Sequence, residues 1–286
     1  MFSDVLLAVD FDRTLTAPDS TIPERNLKAI RYFMENGGAF TVNTGRSAAM
    51  FKRIMPEVGA NVPYLLWGGS AAYDHRTGQV SDVQVIDLDL ESTMERLRKA
   101  FPHMNVELQG IDAHYCFNAA GDWHEFYERQ GFIHRDAVPG TDYGPFIKFS
   151  VYGALHAPKV ADLYAGTEDE IRLVTDARHK LEEMFGDKVD IFRPAPRILD
   201  IHARGVSKIK AARNLQHRLG RKILVCVGDA ENDITMLDMA DYAFCPSDAV
   251  LAEHYENVCN CAEGSVAEVI YEKIPGILNL QLDKRG

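Results

Sequence analysis

The sequence lacks a run of apolar residues long enough to cross a membrane. No stretch of its 286 residues approaches the about 18 consecutive apolar residues that a membrane-spanning helix needs. The amino-terminal apolar run, residues 5–9, is short, follows an acidic residue and leads directly into aspartates, whereas a secretory signal peptide begins with basic residues. The sequence therefore predicts neither a membrane segment nor a signal peptide.

Cysteine is also scarce. The five cysteines are an odd number spread through a long chain, which is typical of reduced thiols in a cytoplasmic protein. Cys259 and Cys261 lie two residues apart without a second pair, so we expect no zinc site there. We interpret both as small apolar residues.

Basic residues are outnumbered by acidic ones. Lysine and arginine total 31 against 42 aspartates and glutamates, which gives a net charge of −11, and the chain has no long basic run. A surface of this charge repels polyanions, so we expect no binding to nucleic acid or to a membrane surface. With 46% hydrophobic and 26% charged residues, the chain has the composition of a globular protein with one large domain or two smaller ones.

The beginning of the chain alternates between strand and helix patterns. Apolar runs predict buried strands at residues 5–11, 39–44 and 64–67. Residues 21–36 show helical spacing between the first two strands, and a second helix is expected after Arg46. This order predicts an α/β fold with a doubly wound, Rossmann-like parallel sheet.

The middle of the chain, residues 82–196, has a different pattern. In residues 147–152, Ile, Phe and Val alternate with Lys, Ser and Tyr, which predicts a strand of an antiparallel sheet with one face in water. Thr167 and Glu170 form a capping box that opens a helix. The apolar stripe of this helix comprises Ile171, Val174, Leu181 and Phe185. We therefore expect an inserted α+β cap domain.

The first pattern returns after Arg204. We predict a helix from Ser207 to Leu219, strands at residues 223–227 and 242–245, and further helices starting at Ser247 and Ser265. The sequence thus predicts a catalytic core built from residues 1–81 and 197–286, with the cap inserted as residues 82–196 between them.

Polar side chains follow three of the predicted strands where the strands end. They are Asp10 and Asp12 after the first strand, Asn43, Thr44 and Arg46 after the second, and Asp229, Asn232 and Asp233 after residues 223–227. In doubly wound sheets, ligands bind beyond the carboxyl ends of the strands. If these strands are neighbours, the side chains converge on one cleft, to which Lys208 at a helix start adds a cation.

Four carboxylates that lie close together repel one another and need a cation. Oxygen ligands of this kind suit Mg²⁺, which in turn neutralises the charge of a phosphoryl group. Thr44 and Lys208 could then bind phosphoryl oxygens. One aspartate of the pair Asp10 and Asp12 could attack phosphorus, and the other could pass a proton to the leaving oxygen.

Four motifs resemble those of the haloacid dehalogenase (HAD) superfamily. They are DFDRTLT, NTGR, GVSKIKAARNL and GDAENDITML, and they occur in this order. The insert looks like the cap of the Cof-type, subclass IIB phosphatases, the C2B type. The resemblance implies a phospho-aspartyl intermediate, with Asp10 as the nucleophile and Asp12 as the acid/base.

The resemblance also implies the roles of the remaining residues. The Mg²⁺ ligands would be Asp10, the backbone carbonyl of Asp12 and Asp229, with Asp233 nearby. The phosphoryl group would be bound by Thr44 and Lys208, and we expect Arg46 and Asn232 to contact the substrate as well.

Two positions depart from the family pattern. Arg13 follows Asp12 where the family usually has glycine, and Gly68-Gly69 stands where it often has Asn-Gly.

In the cap, no two histidines show the i, i+4 spacing of a helical metal site. We interpret the following as ordinary core and surface residues, of which one or two could contact the substrate: His103, His114, His124, His134, Tyr115 and Tyr127.

The sequence predicts a Mg²⁺-dependent phosphatase that acts on a small phosphorylated metabolite, such as a sugar or polyol phosphate. Asp12 favours this function over dehalogenation, because a halide needs no proton on leaving. A phosphomutase of the same superfamily, which uses the same two aspartates, is the alternative enzyme. A phosphate-binding regulatory module without turnover is the alternative from another class.

Overall fold

A computed structural model describes residues 1–117, 122–131, 133–153 and 166–283, which form three sheets surrounded by helices. The strands are β1 (Val5–Val9), β2 (Ala39–Val42), β3 (Tyr64–Leu66), β4 (Ala71–Asp74), β5 (Gln79–Ser81), β6 (Asn105–Gly110), β7 (His114–Phe117), β8 (His134–Asp136), β9 (Phe146–Tyr152), β10 (Val189–Ala195), β11 (Ile198–Ala203), β12 (Ile223–Val227), β13 (Tyr242–Pro246) and β14 (Glu256–Val258). The helices are α1 (Glu24–Glu35), α2 (Ala48–Phe51), α3 (Met55–Val58), α4 (Leu90–Ala100), α5 (Asp122–Gln130), α6 (Glu168–Phe185), α7 (Lys208–Arg218), α8 (Ile234–Asp238), α9 (Ser265–Glu268) and α10 (Ile274–Asp283).

The five-stranded sheet has the order β14-β13-β12-β1-β2, and every neighbouring pair is parallel. All residues of β1 and β12 are buried, because helices cover both faces of the sheet. Helices α1, α9 and α10 pack on one face, and α7 and α8 pack on the other. This arrangement confirms the predicted doubly wound parallel sheet and places the carboxyl ends of β2, β1 and β12 side by side.

The predicted strand at residues 64–67 has a different partner from the one expected. β3 pairs antiparallel with β4, and β4 pairs with β5, in a separate three-stranded sheet. One parallel bridge, between Asn43 and Leu65, connects β3 to the chain just after β2. An apolar run predicts that a strand is buried but does not specify its partner.

The six-stranded sheet has the order β10-β11-β9-β6-β7-β8 and is antiparallel except for the pair β7 and β8. One face packs on α4 and α6 through apolar side chains. The prediction that the other face lies in water is wrong, since Lys148, Ser150 and Tyr152 are buried. This face meets the parallel-sheet domain, where Lys148 Nζ donates a hydrogen bond to the Gly45 carbonyl oxygen at 2.8 Å.

The predicted end of the insert, between residues 196 and 197, precedes β11. This strand pairs with β9 and β10 and is therefore part of the six-stranded sheet. We propose a division that follows the sheets, with the insert ending after Ala203.

The structure bears out most of the predicted helices. α6 begins with the capping box of Thr167 and Glu170, although Ile171 of the predicted stripe is 36% exposed. Turns rather than a helix follow Ser247, because the Asp248 carboxylate accepts a hydrogen bond from the Cys261 backbone N–H at 3.0 Å and ties this segment to a later loop.

None of the helices in the described parts of the chain is long and apolar enough to cross a membrane.

Candidate active site

The carboxyl ends of three neighbouring strands bring polar residues from separate motifs together. Asp10 directly follows β1, Thr44 lies two residues beyond β2, and Asp229 lies two residues beyond β12. All three residues are buried. Because the strands are parallel and adjacent, these side chains surround one acidic cleft at the edge of the sheet.

Lys208 lies among the carboxylates of this cleft. Its Nζ donates to Asp10 Oδ1 at 2.5 Å and to Asp233 Oδ1 at 2.6 Å. Ser207 caps α7, and Asn43 Nδ2 donates to the Lys208 carbonyl oxygen at 2.8 Å, which fixes the start of the helix. Burial lowers the pKa of Lys208, but the charges of Asp10 and Asp233 outweigh burial and hold this pKa above its ordinary value. The ammonium group therefore stays charged.

Asp10, Asp229 and Asp233 form a buried carboxylate group in which one oxygen from each lies within 4.8 Å of the others. One lysine cannot balance three carboxylates. Burial raises the pKa of Asp10 to about 7 despite the opposing charge of Lys208, and burial together with Asp10 and Asp233 raises the pKa of Asp229 well above its ordinary value. A divalent cation would offset this repulsion, and an all-oxygen donor set suits Mg²⁺. The residues therefore fit a divalent metal ion.

Hydrogen bonds fix the orientation of two of these carboxylates. Thr14 Oγ1 donates to Asp229 Oδ1 at 2.9 Å. Asp233 Oδ2 accepts from the backbone N–H groups of Asp229 and Ala230 at 3.1 and 3.2 Å. The sequence prediction omits Thr14, although this residue lies within the first motif.

The carboxylate of Asp12 lies outside the three-carboxylate group and forms a two-point ion pair with Arg46. Arg46 Nε donates to Asp12 Oδ2 at 2.9 Å, and Nη2 donates to Oδ1 at 2.7 Å. Both side chains are only 19% exposed, and the guanidinium lies 5.0 Å from the centroid of the Phe11 ring. Paired geometry of this kind holds a carboxylate in one orientation. Arg46 thus reaches the cleft through Asp12.

A cavity of about 130 Å³ lies between the acidic cleft and the polar face of the six-stranded sheet. Its core side includes Asp10, Asp12, Thr44, Arg46, Asp229 and Asn232. Its insert side includes Gln109, Phe126, Tyr127, Lys148, Tyr152 and Asp200. The sequence analysis did not predict most of the insert residues that line this cavity. The alternation in β9 was an available signal, since its polar members face the cleft rather than water.

A buried ion pair within the insert lies against the loop that carries Thr44. Lys148 Nζ donates to Asp200 Oδ2 at 2.9 Å, and Ser150 Oγ donates to Asp200 Oδ1 at 2.7 Å. Lys148 also bonds the Gly45 carbonyl oxygen. Because both charges are paired and hydrogen-bonded, the network can remain buried at the cavity wall.

The conformation of Arg13 accounts for the glycine that is usual at this position. Arg13 has φ 60° and ψ 9°, in the left-handed region. A side chain in this region costs about 1–2 kcal/mol relative to glycine. Arginine is therefore accommodated at this turn with some backbone strain.

The replacement of asparagine by Gly68 has a steric explanation. Gly68 has φ 64°, and a Cβ placed on it would lie 2.8 Å from Cε1 of His202. His202 is a buried residue of β11, and its Nδ1 lies 3.0 Å from Ser70 Oγ. Burial lowers the pKa of His202 to about 3, so the ring is neutral. The insert thus places an imidazole where a larger residue at 68 would need space.

We expect Gly68→Asn to destabilise the protein by about 1–3 kcal/mol, because overpacking forces buried atoms to move. In a His202→Ala background the same substitution should cost at least about 1 kcal/mol less. Chemical denaturation of the four proteins of this double-mutant cycle measures both quantities. Equal costs in the two backgrounds would show that His202 does not determine the residue at position 68.

Comparison with known proteins identifies relatives along nearly the whole chain. Residues 7–268 match the family described as haloacid dehalogenase-like hydrolase. The chain is 25% identical over 247 residues to the HMP-PP phosphatase of Klebsiella pneumoniae (strain 342), which covers 86% of this chain and 85% of that protein.

Solved structures share the fold. A haloacid dehalogenase-like hydrolase from Bacteroides thetaiotaomicron has a TM-score of 0.75 at 18% identity, covering 94% of this chain and 98% of that chain. The HAD subclass IIB sugar phosphatase BT4131 has a TM-score of 0.72 at 17% identity, covering 95% of this chain and 99% of that chain. The parallel-sheet domain and the insert together are therefore similar to these proteins in fold.

Proposed function

This chain belongs to the haloacid dehalogenase-like hydrolases, and we propose that it is a Mg²⁺-dependent phosphatase that hydrolyses a small phosphorylated metabolite. The observation that supports this most is the buried group of Asp10, Asp229, Asp233 and Lys208, with the Asp12 carboxylate held beside it by Arg46. A dianionic phosphoryl group needs this combination of a cation, a nucleophile and an acid/base.

In the proposed reaction, Asp10 attacks phosphorus. An oxygen of the Asp10 carboxylate forms a bond to phosphorus, and the bond between phosphorus and the leaving oxygen breaks. Asp12, which must leave its ion pair with Arg46 and be protonated before this step, gives its proton to that oxygen. A water molecule then attacks the phosphoryl group and gives a proton to Asp12, and the Asp10 carboxylate leaves with its electron pair. Free phosphate is the product, and both aspartates return to their starting states.

Lys208 and Thr44 would bind the phosphoryl oxygens. Lys208 is held at the cleft by Asp10 and Asp233, and Thr44 is a buried hydroxyl on the cavity wall. We propose that Asp10, Asp229, Asp233 and the backbone carbonyl of Asp12 hold Mg²⁺, which when bound supplies positive charge to the phosphoryl oxygens.

The insert side of the cavity suits a hydroxylated leaving group. Gln109, Lys148 and Asp200 offer hydrogen-bond donors and acceptors, and Tyr127 and Tyr152 offer ring surfaces. Polar groups with aromatic faces are typical of sugar binding. We therefore propose a sugar or polyol phosphate as the substrate class. The similarity in fold to a sugar phosphatase supports this proposal.

Asp12→Asn should distinguish substrates by their leaving groups. A general acid matters most for a poor leaving group, so the phosphorylation step should slow by on the order of 10²–10⁴-fold for sugar phosphates and much less for p-nitrophenyl phosphate. Single-turnover kinetics that follow release of the leaving group, the sugar or p-nitrophenol, with and without Mg²⁺, measure this step. Asp87→Asn, at an exposed aspartate of the insert, is the matched control.

Two outcomes would contradict the proposal. Equal slowing for both leaving groups would remove the acid role of Asp12. A wild-type protein that releases no phosphate from any member of a panel of sugar and polyol phosphates, or from p-nitrophenyl phosphate, would contradict the phosphatase function itself.

A further inference from the structure

Apart from the catalytic cleft, the polar face of the six-stranded sheet holds a second group of side chains that can bind a metal. Cys116 of β7, His124 of α5 and His134 of β8 each place one ligand atom within 4.8 Å of the others. Cys116 is a buried free thiol, and the side chain of His134 is completely buried. The register of the sheet explains this proximity, because Cys116 pairs with Asp136, two residues after His134 on the same face.

The two histidines face each other through the same type of ring nitrogen. His124 Nδ1 and His134 Nδ1 are 3.0 Å apart. The opposite nitrogens both face carboxylates. His124 Nε2 lies 3.0 Å from Asp136 Oδ1, and His134 Nε2 lies 3.7 Å from Oε2 of the buried Glu107.

Counting hydrogens shows what the two imidazoles leave unsatisfied. The Asp136 carboxylate accepts only, so His124 Nε2 carries the hydrogen of that ring and His124 Nδ1 is a bare lone pair. His134 Nδ1 then donates to it at 3.0 Å. This leaves His134 Nε2, 3.7 Å from Glu107 Oε2, and that carboxylate oxygen buried without a hydrogen-bond partner among the described residues. A metal ion bound by both Nδ1 atoms would place the His134 hydrogen on Nε2, facing Glu107.

Three features favour the metal ion. A thiol sulfur lies within reach of the same point. Histidines that bind a metal usually direct their other ring nitrogen at a carboxylate, as Glu107 and Asp136 allow here. A positive charge at this point would also lie near Glu107, whose completely buried carboxylate has His114 Nδ1 2.7 Å from Oε1 but no hydrogen-bond partner at Oε2 among the described residues.

We propose that Cys116, His124 and His134 bind a Zn²⁺-type transition-metal ion, with Glu107 and Asp136 orienting the two imidazoles. One thiolate and two imidazoles suit a transition-metal ion such as Zn²⁺ or copper, whereas the all-oxygen group at the catalytic cleft suits Mg²⁺. The two sites would therefore select different ions. The site has no local signal in the sequence, because its ligands come from two strands and a helix rather than from one helix.

The proposed ion would anchor α5 to the sheet. This helix contributes Phe126 and Tyr127 to the cavity wall, and the ring of Tyr127 lies 4.2 Å from that of His134, centroid to centroid. A metal bound at His134 and His124 would hold the helix and the strand at a fixed separation. Its role would be to shape the substrate side of the cavity, separately from the phosphoryl chemistry.

Cobalt titration of the metal-free, full-length protein tests the site without reference to activity. Excess Mg²⁺ keeps the catalytic carboxylates occupied. We expect one equivalent of Co²⁺ to produce a thiolate-to-cobalt charge-transfer band, and Zn²⁺ to displace it. Cys116→Ser should abolish the band. His124→Gln, at a partly exposed helix position, should weaken binding at least about 10-fold. Cys259→Ser, at a cysteine outside the group, should leave the band unchanged.

Three results would overturn the proposal. They are the absence of a charge-transfer band in the wild-type protein, a band that survives Cys116→Ser, and a band that disappears with Cys259→Ser. If no ion binds, a single hydrogen bond between the two Nδ1 atoms joins the imidazoles instead. Circular dichroism of each variant confirms that a lost band does not reflect unfolding.

Discussion

Asp10→Asn should reduce turnover by on the order of 10⁴-fold or more, as expected when a covalent nucleophile is removed. The amide has nearly the same shape as the carboxylate, but its oxygen carries no negative charge with which to attack phosphorus. Asp10 is one of three buried carboxylates that share one lysine. Removing its charge should therefore leave the melting temperature of the metal-free protein unchanged or higher.

Steady-state kinetics and thermal denaturation measure these two effects together. Asp19→Asn, at an exposed aspartate of the loop that follows, is the matched control and should leave turnover unchanged. A loss of activity accompanied by a large drop in melting temperature would point to misfolding. Near-normal turnover in a folded Asp10→Asn protein would exclude Asp10 as the nucleophile.

Removal of the metal, or of its Asp229 ligand, should abolish hydrolysis. EDTA should eliminate activity in the wild-type protein, and Mg²⁺ should restore it, whereas Asp229→Ala should stay inactive at every Mg²⁺ concentration tested.

Because burial raises the pKa of Asp10 to about 7, a proton competes with the cation at low pH. The rise in melting temperature that Mg²⁺ causes should therefore be larger at pH 8 than at pH 5.5.

Phosphate release with excess EDTA and differential scanning fluorimetry test these statements. Full activity in EDTA would refute the requirement for a metal. A Mg²⁺-induced rise in melting temperature that is the same at both pH values would contradict the raised pKa of Asp10. Asp4 lies just before β1, at the amino ends of the strands and away from the cleft. The control variant Asp4→Ala should therefore respond to Mg²⁺ like the wild type.

The core of the fold can be read from the sequence because its signals are local. The apolar strand β1 ends directly before Asp10 and β12 ends two residues before Asp229, and parallel packing then requires their carboxyl ends to meet. Lys208 follows a capping serine at the start of α7, so its position relative to that helix is also encoded locally. These local features are sufficient to predict most of the residues that line the cleft.

The rest depends on tertiary contacts that have no local signal. The alternating polar residues of β9 predict a sheet face in water, because alternation in the sequence does not show that another domain covers this face. The pairing of β3 with β4 and of β11 with β9 is decided by register between distant segments. The ion pair of Asp12 and Arg46, and the meeting of Cys116 with two histidines, likewise join residues from separate elements.

The formation of a phosphorylated Asp10 is the central claim, and trapping it is its most direct test. We would mix the protein with substrate and Mg²⁺, quench within milliseconds in acid, digest the chain and determine the masses of the peptides. The peptide that contains VDFDRTLT should gain the mass of one phosphoryl group, located at Asp10, and the gain should vanish in Asp10→Asn and in EDTA. A phosphoryl group on another residue, or turnover with no phosphorylated peptide at any quench time, would contradict the mechanism.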